Sequence, residues 1–145
     1  MKKTLTSTVL FVAVLGLGVL GCDSDSSSPT EPPPPTEAIF LVDSCPGQEG
    51  EAYRIKTSDA AVIAEAERLI ATGEQRIPNG RLRSGDGGFN ASWSWHIDPA
   101  TLEFADATIE VCDGCASVVE SDVDTWVNNV GSFCPWSAVV LSREQ

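Results

Sequence analysis

Cys112 and Cys115 flank Asp113-Gly114 in a CDGC run, and two more thiols of the same stretch lie far off at Cys45 and Cys134. A CxxC pair is the spacing of dithiol redox centres and of half a zinc site. Four cysteines of an exported chain also suit two structural disulfides, with three possible pairings. Structural bridges are the favoured reading. No βαβ unit precedes the CxxC, as a thioredoxin-like centre would require, and Cys45 and Cys134 need partners of their own. A zinc site built from the CxxC with Cys134, Cys45 or His96 is the third option, disfavoured because thiols outside the cytoplasm tend to be oxidised. His96 is the only histidine. It alternates with Ser94, Ser92 and Asn90, and Glu110 lies on the polar side of a following apolar-alternating run. These residues (His96, Ser94, Asn90, Glu110) form a possible polar-face site. A Ser–His nucleophile needs an orienting acid and a direct hydrogen bond. Residues two apart on one strand stand about 7 Å apart, so a structural histidine fits better. Asp122 and Asp124 lack the glycine and closing glutamate of a calcium loop. The GDGG run at 85–88 lacks the Lys-Ser/Thr of a phosphate loop. No catalytic residue, metal or cofactor is therefore assigned.

The elements that must position these residues read as α+β. Ala38 to Val42 and Ala52 to Lys56 are short strands joined by a loop with Pro46, Gly47 and Gly50. Ser58 is the expected N-cap of a helix with Asp59 in its first turn. Val62, Ile63, Ala66, Leu69 and Ile70 share one face of that helix, and Gly73 stops it. Asn79-Gly80 reads as a turn. FNASWSWHI at 89–97 alternates over nine residues and reads as the clearest strand. Thr108 to Cys112 reads as another strand, with Ile109 and Val111 on one side and Glu110 on the other. Ser117 and Glu120 make a capping box for a second helix over 117–130. Val119, Val123, Trp126, Val127 and Val130 line its apolar face, and Gly131 ends it. Trp136 to Ser142 closes the fold as a strand. The expected architecture is a small antiparallel or mixed sheet with two packed helices, stapled by disulfides.

The first 22 residues, MKKTLTSTVLFVAVLGLGVLGC, place Lys2 and Lys3 before an apolar run from Val9 to Leu20. That run is shorter than the ~20 residues a span needs and has the size of an export-signal core. Val19-Leu20-Gly21-Cys22 resembles the lipobox of bacterial lipoproteins. The resemblance implies a signal peptide over 1–21 and lipid (palmitate among the acyl chains) on Cys22, anchoring the chain to a membrane. Asp23 resembles the enterobacterial signal for inner-membrane retention. The stretch DSDSSSPTEPPPPTE that completes residues 22–37 has no Val, Ile, Leu or aromatic residue, so it cannot bury a core. Its prolines favour an extended polyproline stalk. The expected location is thus the bacterial cell envelope, on the periplasmic or surface side.

Residues 38–145 form one domain of ordinary size. Of 21 acidic and 9 basic residues in the chain, 17 and 7 fall in this stretch, which carries a net −10. A surface this acidic repels phosphate backbones, so nucleic acid is excluded as a partner class. The residues favour a non-catalytic binding domain whose partner is an unidentified envelope protein or ligand. The alternatives are an envelope enzyme, either a thiol oxidoreductase using Cys112/Cys115 or a hydrolase using His96, and a protease inhibitor.

GDGGFN (85–90), WSWH (93–96), TIEVCDG (108–114), VE (119–120) and FCPW (133–136) together resemble a known domain. It is the N-terminal domain of a slime-mould calmodulin-binding protein, also present in small exported bacterial proteins called calmodulin-binding-like. The resemblance spans most of residues 38–145. It implies the pairs Cys112–Cys134 and Cys45–Cys115, the first being typical of the family. It implies no catalytic set. Calmodulin binding is not expected, because calmodulin targets are basic amphipathic helices. The helix expected over 117–130 carries Glu120, Asp122 and Asp124 and no basic residue.

Overall fold

The computed structural model describes residues 37–145. The signal segment, Cys22, Asp23 and all of the stalk but Glu37 lie outside the described residues. The described part is α+β, with two sheets of antiparallel strands, a few short helices and two disulfides.

The first sheet has the order β2-β1-β7, where β1 is Ala38–Asp43, β2 is Ala52–Thr57 and β7 is Val139–Glu144. Ala38, Phe40 and Val42 alternate into the core, opposite Thr57, Ile55 and Tyr53 of β2. This period-two burial is what the apolar alternation of both strands demands. A bulge falls between Leu41 and Val42 where β1 meets β7. The closing strand starts three residues later than the sequence suggests. Trp136 lies before it in a turn and is exposed.

Helix α1 is Ala60–Thr72 and buries Ile63, Ala66 and Leu69. Its N-cap is Asp59 rather than Ser58. The Asp59 carboxylate accepts from the Ala61 and Val62 N–H groups (2.7 and 3.3 Å), which a serine one residue earlier could not reach. Gly73 ends the helix as expected, donating to the Leu69 carbonyl.

β3 (Ile77–Ser84) is the hub of the second sheet and pairs antiparallel with β4 (Trp95–Ile97), β5 (Glu103–Ala105) and β6 (Ser132–Phe133). The turn expected at Asn79-Gly80 is therefore strand. The glycine serves close approach instead, since a Cβ at Gly80 would stand 2.4 Å from Ile97 Cγ2. The nine-residue strand expected at 89–97 contracts to Trp95–Ile97. Residues 86–93 wind into turns, with Asn90 N–H donating to the Asp86 carbonyl (2.9 Å) and Trp93 N–H to the Asn90 carbonyl (2.9 Å). The strand expected at 108–112 is a loop ending in a 3-10 turn, Glu110–Cys112. Ile109 and Val111 consequently face solvent, 66% and 61% exposed.

The single helix expected over 117–130 is broken. Helix α2 spans Ala116–Ser121, and Asp122 leaves helical geometry (φ −154°, ψ 66°). A short turn, Val123–Thr125, and a π-helical turn, Trp126–Val130, follow. The capping box does not form. Ser44 Oγ accepts the Ala116 N–H (2.9 Å) and the Glu51 carboxylate accepts the Ser117 N–H (3.0 Å), so the β1–β2 connection caps α2 from outside. Of the expected apolar face Val119 is buried, while Val123, Trp126 and Val127 pack half-buried against the core. At the centre Tyr53, Trp95 and Phe133 meet with ring centroids 5.2–5.5 Å apart in tilted and edge-on geometry.

Candidate functional site

The thiols are spent on structure. Cys45 bonds Cys115 across 70 residues, and Cys112 bonds Cys134 across 22, with Cα separations of 5.5 and 5.2 Å. Both lie within ordinary disulfide reach. The pairing implied by the family resemblance is the one present. Cys112 and Cys115 each hold a distant partner rather than one another, so the CxxC is neither a local bridge nor a free dithiol. The first bridge ties the β1–β2 loop to the entrance of α2. The second ties the 3-10 turn to the segment after β6.

The polar-face residues do not converge. Asn90 is fully buried. Its Oδ1 accepts the Arg54 N–H (2.8 Å) and its Nδ2 donates to the Trp95 carbonyl (2.9 Å). It does not sit on a solvent-facing strand surface as expected, because the turns of 86–93 rotate it inward. Its amide there stands in for a neighbouring strand along β2, and Trp93 Nε1 completes the cover by donating to the Ala52 carbonyl (2.9 Å). Ser94 gives both its N–H and its hydroxyl to the two oxygens of Glu120 (2.9 and 2.7 Å). Glu110 is exposed on the 3-10 turn, in a different element.

His96 Nδ1 lies 2.6 Å from the Gly85 carbonyl, so that nitrogen carries the proton, since the oxygen can only accept. The ring meets Phe89 edge-on at 5.5 Å. Gly87 (φ +63°) packs so closely that a Cβ there would lie 2.9 Å from His96 Cγ and 2.7 Å from Phe89 Cε1. The GDGG loop is thus a lid on the imidazole, and glycine is the residue that fits it. Asp98 is the acid two positions on. It is held by Arg83 (2.8 and 3.0 Å) and the Ala100 N–H (3.1 Å). The Arg83 hydrogen bonds hold its carboxyl below the usual range. Among the described residues, no hydrogen bond joins His96 to a serine or a carboxylate, and no cluster of three His, Cys, Asp or Glu could hold a metal ion.

The feature with free chemistry is one that the sequence concealed. Ile109, Val111 and Trp136 stand exposed around the Cys112–Cys134 bridge. Trp136 is pinned: its N–H donates to Asp113 Oδ1 (2.8 Å) and its Nε1 to Thr108 Oγ1 (2.7 Å). Beside it opens a cleft of about 450 Å³, lined among others by Gln75, Arg76, Asp106 and Thr108. Reading Ile109 and Val111 as the inward side of a strand hides this rim. The adjoining FCPW run, with a tryptophan beside a proline and a bridged cysteine, is the available clue.

The domain is thus a small disulfide-stapled α+β module with one rigid, partly apolar rim. Over residues 36–145 the chain matches the N-terminal domain of the calmodulin-binding protein 74 type, and it belongs to that family. Neither a curated protein nor a solved structure matches it.

Proposed function

We propose that the chain is a lipid-anchored protein of the bacterial cell envelope whose folded domain is a non-catalytic binding module. Residues 1–22 support the export and acylation of Cys22, and the proline-rich stretch supports display on a stalk. Asp23 favours the inner membrane. Among the described residues no helix is long and apolar enough to cross a membrane, so the anchor in this reading is the lipid. The observation that carries the binding reading is the exposure of Ile109, Val111 and Trp136 on a rim held by a disulfide. Rigid, exposed apolar side chains favour recognition, because little conformational entropy is lost when a partner covers them. The net charge disfavours nucleic acid, and the acidic helices disfavour the basic-helix mode of calmodulin recognition.

The test is cross-linking of the full-length lipoprotein in its own envelope, followed by affinity recovery. The expected result is a discrete partner captured by wild type, His96→Gln and Ser94→Ala and lost in the double variant Ile109→Asp/Val111→Asp. Loss of function in the His96 or Ser94 variants, with the rim variant unaffected, would favour an enzyme instead.

A further inference from the structure

We infer that the cleft beside Trp136 is a binding site for a neutral oligosaccharide, an inference that rests on the binding-module reading and gives it a ligand class. Trp136 is 45% exposed and lines the cleft. Its one polar atom is already used, Nε1 donating to Thr108 Oγ1. What the side chain offers the cleft is therefore the apolar ring surface. A pyranose presents a patch of C–H groups that covers such a ring, and its hydroxyls remain for polar neighbours.

Those neighbours are planar and suited to hydroxyls. Arg76 donates through Nε to Asp106 Oδ1 (2.8 Å) and through Nη1 to Glu65 Oε1 (3.1 Å), and its second terminal nitrogen makes no protein hydrogen bond. Asp106 keeps Oδ2 as a free acceptor, its side chain 87% exposed. Gln75 contacts only the Ser137 carbonyl at 3.5 Å, so most of its amide valence is open. Adjacent donors and acceptors on flat groups match vicinal diols, each of which both gives and takes a hydrogen bond.

Charge decides against the other ligand classes. The Arg76 cation is compensated by two carboxylates, and the domain as a whole is acidic, so a phosphate or carboxylate ligand finds no net attraction. Asp106 is likewise compensated by Arg76, which leaves no net pull on a cation. A wholly apolar ligand would bury Arg76, Asp106 and Gln75 without partners. The size points to more than one sugar. A second depression of about 430 Å³, containing Asn79, Glu103 and Thr101, shares Ala105, Ala107 and Thr108 with the first. The two lie side by side along the end of β5, as successive subsites of one chain would.

The test is isothermal calorimetry of the full-length lipoprotein in detergent with cellopentaose, maltopentaose and chitopentaose. At least one should bind with a Kd between about 10 µM and 1 mM. Trp136→Ala should weaken it by about tenfold or more, while Trp136→Phe stays within about threefold of wild type. Gln75→Ala, which removes only one long contact, keeps the fold and should weaken binding by about threefold. It decides the matter if Trp136→Ala fails to fold. Absence of heat with all three sugars at about 10 mM, or binding unchanged in both Trp136→Ala and Gln75→Ala, would overturn the inference. If a partner is still recovered through Ile109 and Val111 while no sugar binds, the cleft assignment fails and the binding-module reading stands.

Discussion

Asn90 shows how one side chain can hold two elements that the backbone alone would leave unpaired. It satisfies the Arg54 N–H on β2 and the Trp95 carbonyl on β4, both from a fully buried position. Asn90→Ala strands a donor and an acceptor away from water, each costing about 1–3 kcal/mol. A loss of about 3 kcal/mol in denaturant unfolding is expected, and a loss under about 1 kcal/mol would show that the amide is dispensable. Glu65 belongs to the same scale. Hydrogen bonds from Arg68, and then from Arg76, lower its pKa from 4.5 to about 2. A depressed carboxyl stabilises the fold above its unfolded pKa and loses that contribution as pH falls. Stability should therefore decline between pH 4.5 and pH 2, and Glu65→Gln should flatten that part of the profile. The site is solvent-accessible, so high salt should reduce the effect.

Strand β3 is the element on which the second sheet depends, because β4, β5 and β6 all pair with it. Its weak point is Gly80. A methyl there would press on Ile97 Cγ2 and sit 3.4 Å from the Leu102 backbone. Gly80→Ala should cost about 1–3 kcal/mol, the usual range for overpacking, read as a fall in the thermal midpoint. A neutral result would mean that Ile97 rotates away freely. The two bridges act on other elements and differ in reach. Opening the 22-residue Cys112–Cys134 loop should cost about 3 kcal/mol, and the 70-residue Cys45–Cys115 loop about 4 kcal/mol, if chain entropy governs. Paired Cys→Ala variants compared by calorimetry would check the order, and a larger loss for the shorter loop would contradict it.

On the scale of the whole molecule, a lipid at one end and a stapled domain at the other divide anchoring from recognition in the proposed reading. Cys22→Ser should abolish labelling by a radioactive fatty acid and release the chain from membranes, while the soluble domain keeps both disulfides. Equal labelling of wild type and variant would remove the anchor from the account. The acidic surface fits this division, since a domain at net −10 is repelled by anionic lipid and gains nothing by lying on the bilayer.

Helix α1, β1 and β2 were legible because their signals are local. The spacing of Ile63, Ala66 and Leu69, the Gly73 stop and the alternation in AIFLV and AYRIK each bind a short segment to one period. The bridge pairing was readable through likeness to a family, since four cysteines alone permit three arrangements. The rest depended on partners distant in sequence. Alternation at 89–97 and 108–112 satisfies a strand period, yet the glycine turn at 86–88 and the Cys112–Cys134 bridge impose loops there. Glu120 fits a capping box by spacing, yet Ser94 takes it, and Ser44 and Glu51 cap α2 instead. Whether Asn90 is buried and Trp136 exposed follows from which segments pack across them. That is a property of the assembled core, which no period along the chain encodes.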